Sequence, residues 1–125
     1  MEVFGTDYPT RDGTCIRDYI HVSDLVDAHY HALQRLRAGA ASLTANCGYG
    51  KGYTVFEVIE AVKKASGKDF DVTMSPRRAG DAISVVANPG IAMGEFGWKP
   101  ACDDLDLIVQ TALDWEKSLA LRNRV

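Results

Sequence analysis

Two runs of helical periodicity, each closed by a glycine and flanked by short β-branched stretches, constrain this chain more than any other feature. Leu25, Val26, His29, Leu33 and Leu36 recur at intervals of three and four, which predicts an amphipathic helix over 24–37. Ser23 reads as its N-cap, Asp24 sits in its positive first turn, and Gly39 stops it. Val55, Val58, Ile59 and Val62 mark a second helix that opens on the capping box Thr54-Val55-Phe56-Glu57 and ends at Gly67. Cys15–Val22 and Ser42–Cys47 read as strands, and Phe70, Val72 and Met74 alternate with polar neighbours as a half-buried strand. Asn88-Pro89 opens a short helix that ends at Gly97, and Leu105, Ile108, Val109, Ala112, Leu113 and Trp115 place a last helix over about 104–120. Alternating strands and helices specify an α/β protein.

The 125 residues suffice for one modest core. Fourteen basic against 17 acidic side chains give a net charge of −3, which argues against nucleic acid as a partner. Arginines cluster only at Arg77-Arg78 and at Arg122 and Arg124, the latter pair on an end expected to fray. No apolar run approaches the roughly 20 residues of a membrane span, so no membrane partner is expected. The opening Met1-Glu2-Val3-Phe4-Gly5 is not a signal peptide. Cys15, Cys47 and Cys102 are odd in number and widely spaced, which suits reduced packing residues in a cytoplasmic protein.

Gly48-Tyr49-Gly50-Lys51-Gly52 lies where a dinucleotide loop would lie. Its third glycine comes one residue early for G-x-G-x-x-G, so a structural strand-to-helix turn is expected instead. His29 and His31 face different directions on a helix, and Asp27–His31 has the spacing of an exposed contact; no metal site follows. No Ser or Cys stands in a strained elbow. The residues best suited to chemistry are arginines. Arg17 and Arg78 offer planar forks matched to a diphosphate, Asp81 offers an acceptor for ribose hydroxyls, and Phe4 and Tyr19 offer an aromatic wall. The plain alternative is that Arg17–Asp18 and Arg78–Asp81 are surface ion pairs.

Val3-Phe4-Gly5-Thr6-Asp7-Tyr8-Pro9-Thr10, Asp12-Gly13-Thr14, Arg17-Asp18-Tyr19-Ile20-His21-Val22, Pro76-Arg77-Arg78-Ala79-Gly80-Asp81 and Gly97-Trp98 form an ordered set. With that set, the chain resembles the UDP-glucose 4-epimerases of the extended short-chain dehydrogenase/reductase family, from about Val3 to about Leu119. The resemblance implies the C-terminal portion of that fold: an incomplete Rossmann-type sheet plus the small substrate-binding domain, with 24–66 matching late elements of the cofactor domain. It implies a UDP-sugar partner and NAD in the full-length enzyme. The family's Tyr-x-x-x-Lys pair and N-terminal glycine-rich loop have no counterpart here, so no catalytic residue is assigned and NAD is not expected to bind this chain alone.

Carried over by position, the resemblance places Phe4 at the uracil, Tyr19 near the nucleoside, Arg17 and Arg78 on the diphosphate, and Asp81 on the ribose. Val85 matches a position beside the sugar, where a small residue leaves room for an N-acetyl group. A part of such an enzyme should expose apolar surface and self-associate or exchange elements. Another nucleotide-sugar dehydratase or decarboxylase, or a non-catalytic binding module, are the competing readings.

Overall fold

The computed structural model describes residues 1–122; Arg124, expected at a frayed end, lies outside them. In chain order the elements are β1 (Glu2–Phe4), β2 (Ile16–Arg17), α1 (Val22–Arg37), β3 (Tyr53–Thr54), α2 (Val55–Ser66), β4 (Thr73–Ser75), β5 (Ser84–Val85), α3 (Gly90–Phe96) and α4 (Leu105–Arg122). The α/β class holds. The strands form two small sheets. In one, β1 pairs in parallel with β4, with Glu2 opposite Thr73 and Phe4 opposite Ser75. In the other, β2 is central, antiparallel to β3 and parallel to β5, so Arg17 faces both Tyr53 and Val85.

The capping box and the glycine stops hold. Thr54 Oγ1 accepts from the Glu57 amide at 3.2 Å while the Glu57 carboxylate accepts from the Thr54 amide at 2.8 Å, completing the capping box. Gly67 and Gly97 end α2 and α3 at φ 65° and 68°, in the left-handed region that glycine adopts without strain. Asn88 does not cap α3 as expected: Pro89 is the N-cap and the helix begins at Gly90, while Asn88 Oδ1 accepts from the Gly90 amide at 3.1 Å just ahead of it. Trp98 anchors the interior with Ala28 and Ala92, and its Nε1 donates to the Asp24 carbonyl at 3.1 Å.

Several expectations fail, most of them for a tertiary reason. The strand expected over Cys15–Val22 is only Ile16–Arg17, because the chain turns as the Asp18 carboxylate is captured by backbone amides. The N-cap of α1 is His21, not Ser23: His21 Nδ1 accepts from the Ser23 amide at 3.0 Å. Ser42–Cys47 forms no strand, since a strand needs a hydrogen-bonded neighbour and none lies beside it among the described residues. The strand after α2 is only Thr73–Ser75, with Met74 exposed.

The larger surprise is which face of α1 meets the core. Asp24 and Ala28 are buried, whereas Val22, Val26, Tyr30 and Leu33 form a solvent-facing stripe, with Val26 62% and Tyr30 56% exposed. Trp115 on α4 is also exposed, beside an apolar groove of about 620 Å³ that Ile20, Val22, Ile108 and Ala112 help to line. No helix is long and apolar enough to cross a membrane among the described residues.

Candidate functional site

The site is built where β2 lies between β5 and the start of α2. Thr14 and Thr54, both fully buried, hydrogen-bond the two oxygens of Asp12: Thr14 Oγ1 donates to Oδ1 at 2.7 Å and Thr54 Oγ1 donates to Oδ2. Burial opposes ionisation of Asp12, but these donors and the Thr14 amide outweigh it and hold its pKa below the ordinary carboxylate value. Arg11 completes the knot by donating Nε to Glu57 at 2.7 Å. This fixes the strand that carries Arg17.

Phe4, Arg17, Arg78 and Asp81 line one cavity of about 220 Å³, with Cys15 and Val55 also in its wall. Arg78 donates Nε and a terminal nitrogen to the two Asp81 oxygens at 3.2 and 3.0 Å, and its guanidinium lies 5.2 Å from the Phe4 ring centroid. The Arg78–Asp81 ion pair named as the plain alternative is therefore present, and it sits in the wall of the cavity. The Arg17–Asp18 pair is not. Arg17 donates one terminal nitrogen to the carbonyls of Ile16 and Ala82 at 2.7 and 2.9 Å, which anchors the fork beside β5.

Arg17 also borders a second, adjoining cavity of about 440 Å³, into whose wall Val85, Cys47 and Ala87 enter. Four of the six residues singled out by sequence thus share one hollow, and Val85 stands across Arg17 from them. Tyr19 lines neither hollow. It is half-buried, and burial pushes its phenol pKa up while Arg17 pulls it down.

The glycine loop has a different occupant from a cofactor. Asp18 accepts from the amides of Tyr49 at 3.1 Å, Gly50 at 2.9 Å and Ala87 at 3.2 Å. A Cβ on Gly48 would lie 2.6 Å from both Asp18 Oδ2 and the Ala87 Cβ, so bare glycine admits this close approach. The loop amides that would cradle a dinucleotide phosphate already hold a carboxylate, so NAD does not fit this loop.

Sequence reasoning missed Asp24 as well. Its carboxylate is buried and accepts from the Tyr49 hydroxyl at 2.6 Å and the amides of Ala101 and Cys102 at 3.0 and 2.8 Å. The Tyr49 hydroxyl accepts in turn from the His21 amide at 3.1 Å. Burial is the largest influence on Asp24 and opposes its charge, yet the donors prevail and its pKa falls below the ordinary value. For Tyr49, burial and then Asp24 push the pKa upward. Two other imidazoles have plain structural duties. His21 Nε2 lies 3.0 Å from Thr111 Oγ1, and His31 Nδ1 lies 2.9 Å from the Phe96 carbonyl. The expected Asp27–His31 contact is present at 3.7 Å on a partly exposed helix face.

Residues 2–48 match the NAD dependent epimerase/dehydratase family. The UDP-glucose 4-epimerase of Azospirillum brasilense is 52% identical over 119 residues, which span 95% of this chain and 34% of that protein. The chain is similar to the UDP-glucose 4-epimerases. The fold agrees: the Stenotrophomonas maltophila UDP-glucose 4-epimerase, solved with NAD and formylated UDP-arabinopyranose, superposes with a TM-score of 0.91 at 40% identity, over 98% of this chain and 36% of that one. The UDP-Glc/GlcNAc 4-epimerase of Campylobacter jejuni gives a TM-score of 0.82 at 49% identity, over 94% of this chain and 36% of that one. The chain therefore spans about a third of the length of the epimerases it matches.

Proposed function

We propose that this chain is the substrate-gripping, C-terminal part of a cytoplasmic, NAD-dependent UDP-hexose 4-epimerase, inactive by itself and built to hold the UDP moiety. The observation that carries this reading is the single cavity shared by Phe4, Arg17, Arg78 and Asp81. An aromatic face for a base, a carboxylate for a ribose and two guanidinium forks for a diphosphate converge there. Arg17 lines both that hollow and the one bordered by Val85, which supports reading the first as the nucleotide side and the second as the sugar side. Residues 24–66 belong in this reading to the cofactor domain of the whole enzyme and the rest to the substrate domain. The hydride chemistry belongs to a cofactor site and catalytic residues outside this chain.

The test is calorimetric titration of the chain with UDP. UDP should bind, and Arg78→Ala should weaken it about 10-fold or more, the scale expected when a charge-assisted contact to phosphate is removed. Arg17→Ala should do likewise. If both variants bind UDP as tightly as the parent chain, the diphosphate assignment is wrong.

Val85 is 53% exposed on β5, with no bulk to close the hollow beside it. The Campylobacter jejuni relative, named for both glucose and N-acetylglucosamine forms, has the dual use we propose here. In the full-length enzyme, Val85→Tyr should cut turnover of UDP-N-acetylhexosamine about 10-fold while sparing UDP-hexose. Equal losses on both substrates, measured as kcat/KM, would refute the assignment.

The stripe of Val22, Val26, Tyr30 and Leu33 supports the reading of a part whose inner face is uncovered. The isolated chain should self-associate in sedimentation experiments at tens of micromolar, and Val26→Lys with Tyr30→Lys should return it to monomer. A compact, stable parent monomer would contradict this.

A further inference from the structure

We propose that Arg77, which does not line the cavity, is the positioning residue that holds Phe4 and Arg78 in register for the nucleotide; this rests on the UDP reading above. Phe4 ends β1, and Arg78 lies three residues beyond the end of β4. The ladder between these strands finishes with the Gly5 amide donating to the Ser75 carbonyl at 2.8 Å, so beyond it the two segments need another tie. Arg77 is that tie. Its Nε donates to Asp7 Oδ1 at 2.7 Å, and a terminal nitrogen reaches the Asp7 carbonyl at 2.5 Å. Its guanidinium lies 4.1 Å from the ring centroid of Tyr8, a buried side chain that cannot follow if the arginine moves.

Gly5 makes the stack possible. A Cβ there would sit 2.4 Å from Tyr8 Cε2 and 2.8 Å from Arg77 Cγ, and its φ of 80° already favours glycine. The layers Gly5, Tyr8 and Arg77 thus lock the loop after β1 to the segment after β4. One residue away on each segment stand Phe4 and Arg78, whose own stacking at 5.2 Å shapes the cavity wall. The two adjacent arginines have divided duties: Arg78 faces the hollow and Arg77 fixes where Arg78 stands. A lysine at 77 keeps the charge opposite Asp7 but loses the planar face on Tyr8 and the second donor to the Asp7 carbonyl.

A double-mutant cycle on UDP affinity, together with amide and arginine side-chain NMR of the unliganded chain, tests this. Arg77→Ala should weaken UDP about 10-fold in the parent background and less than about 2-fold in an Arg78→Ala background, because both changes remove one arrangement. Arg77→Lys, the gentler variant if alanine impairs folding, should lose about 3-fold. In NMR spectra, the resonances of Phe4 and Arg78 Nε should shift in both Arg77 variants while those of α2 and α4 stay in place. Equal losses in the two backgrounds, or Phe4 and Arg78 resonances that do not move, overturn the proposal. If the parent chain fails to bind UDP, the UDP reading falls, and the resonances of Phe4 and Arg78 still decide whether Arg77 fixes their register.

Discussion

Asp24→Ala is expected to lower the stability of this chain by about 3 kcal/mol, a fall in melting temperature of about 15 °C for a domain of this size. The side chain is 5% exposed, and its removal strands three donors at once: the Tyr49 hydroxyl and the amides of Ala101 and Cys102. Each unsatisfied buried donor costs about 1–3 kcal/mol, partly relieved by water entering the gap. The loss should spread across the molecule, because those donors lie on the glycine loop and on the segment leading into α4. Asp24→Asn should cost roughly half as much, since an amide oxygen accepts less strongly than a carboxylate.

The sign of the pH dependence follows from the direction of the shift. Asp24 has a folded pKa below its ordinary value of 3.8, so its charged form is favoured by folding. Its contribution is fully present above about pH 4 and is lost as pH falls through the folded value. The gap in stability between parent and Asp24→Asn should therefore be widest near neutrality and close on acidification below about pH 4. Thermal melts from pH 7 to pH 2 read this directly, and a gap that widens in acid would show that the carboxylate is not the stabilising species.

Asp18→Ala is the second large effect, expected to cost about 1–2 kcal/mol by leaving the part-buried amides of Tyr49 and Ala87 and the exposed amide of Gly50 without their acceptor. Hydrogen exchange at those three amides should accelerate well beyond the rest of the chain. Gly48→Ala should produce a similar loss from the other side, since its methyl would meet Asp18 and Ala87 at 2.6 Å. Because Ala87 follows β5, either change should also loosen Val85 and the hollow beside Arg17. Full stability in both variants would mean that the carboxylate does not organise the loop.

What could be read from the sequence divides by range. The capping box at Thr54 and the stops at Gly67 and Gly97 are decided by bonds within one turn, so residue order suffices to find them. The strand expected at Ser42–Cys47 depends on a neighbour, and no run of residues reveals whether one is beside it. Periodicity in α1 announces an apolar face without saying what covers it. The face this chain covers carries Asp24 and Ala28 instead, a polar anchor and a small residue that suit close approach to Trp98.

The candidate site shows the same division. The arginines, Phe4 and Asp81 were recognisable by type and order, and they meet in one hollow. Asp18 looked like a partner for Arg17 merely because it stands next to it. Two bare amides in the glycine loop, those of Tyr49 and Gly50, were the overlooked cue, because a glycine cluster with open donors wants an anion, and the nearest one belongs to the chain itself. Arg77 and Arg78 could not be told apart without knowing which side of the segment faces Tyr8.

The pairing of Glu2 with Thr73 and of Phe4 with Ser75 sets a timetable for biosynthesis. At the usual pace of translation, about 5–20 residues per second, the first strand waits several seconds before its mate leaves the ribosome. Until then its polar backbone and Val3 stay uncommitted, open to chaperones or to a neighbouring nascent chain. The hollow around Arg17 closes later still, when residues 84 and 85 add the third strand beside it. Ribosome-bound chains halted before that point should be helical in part yet lack the hollow that Phe4, Arg17, Arg78 and Asp81 share.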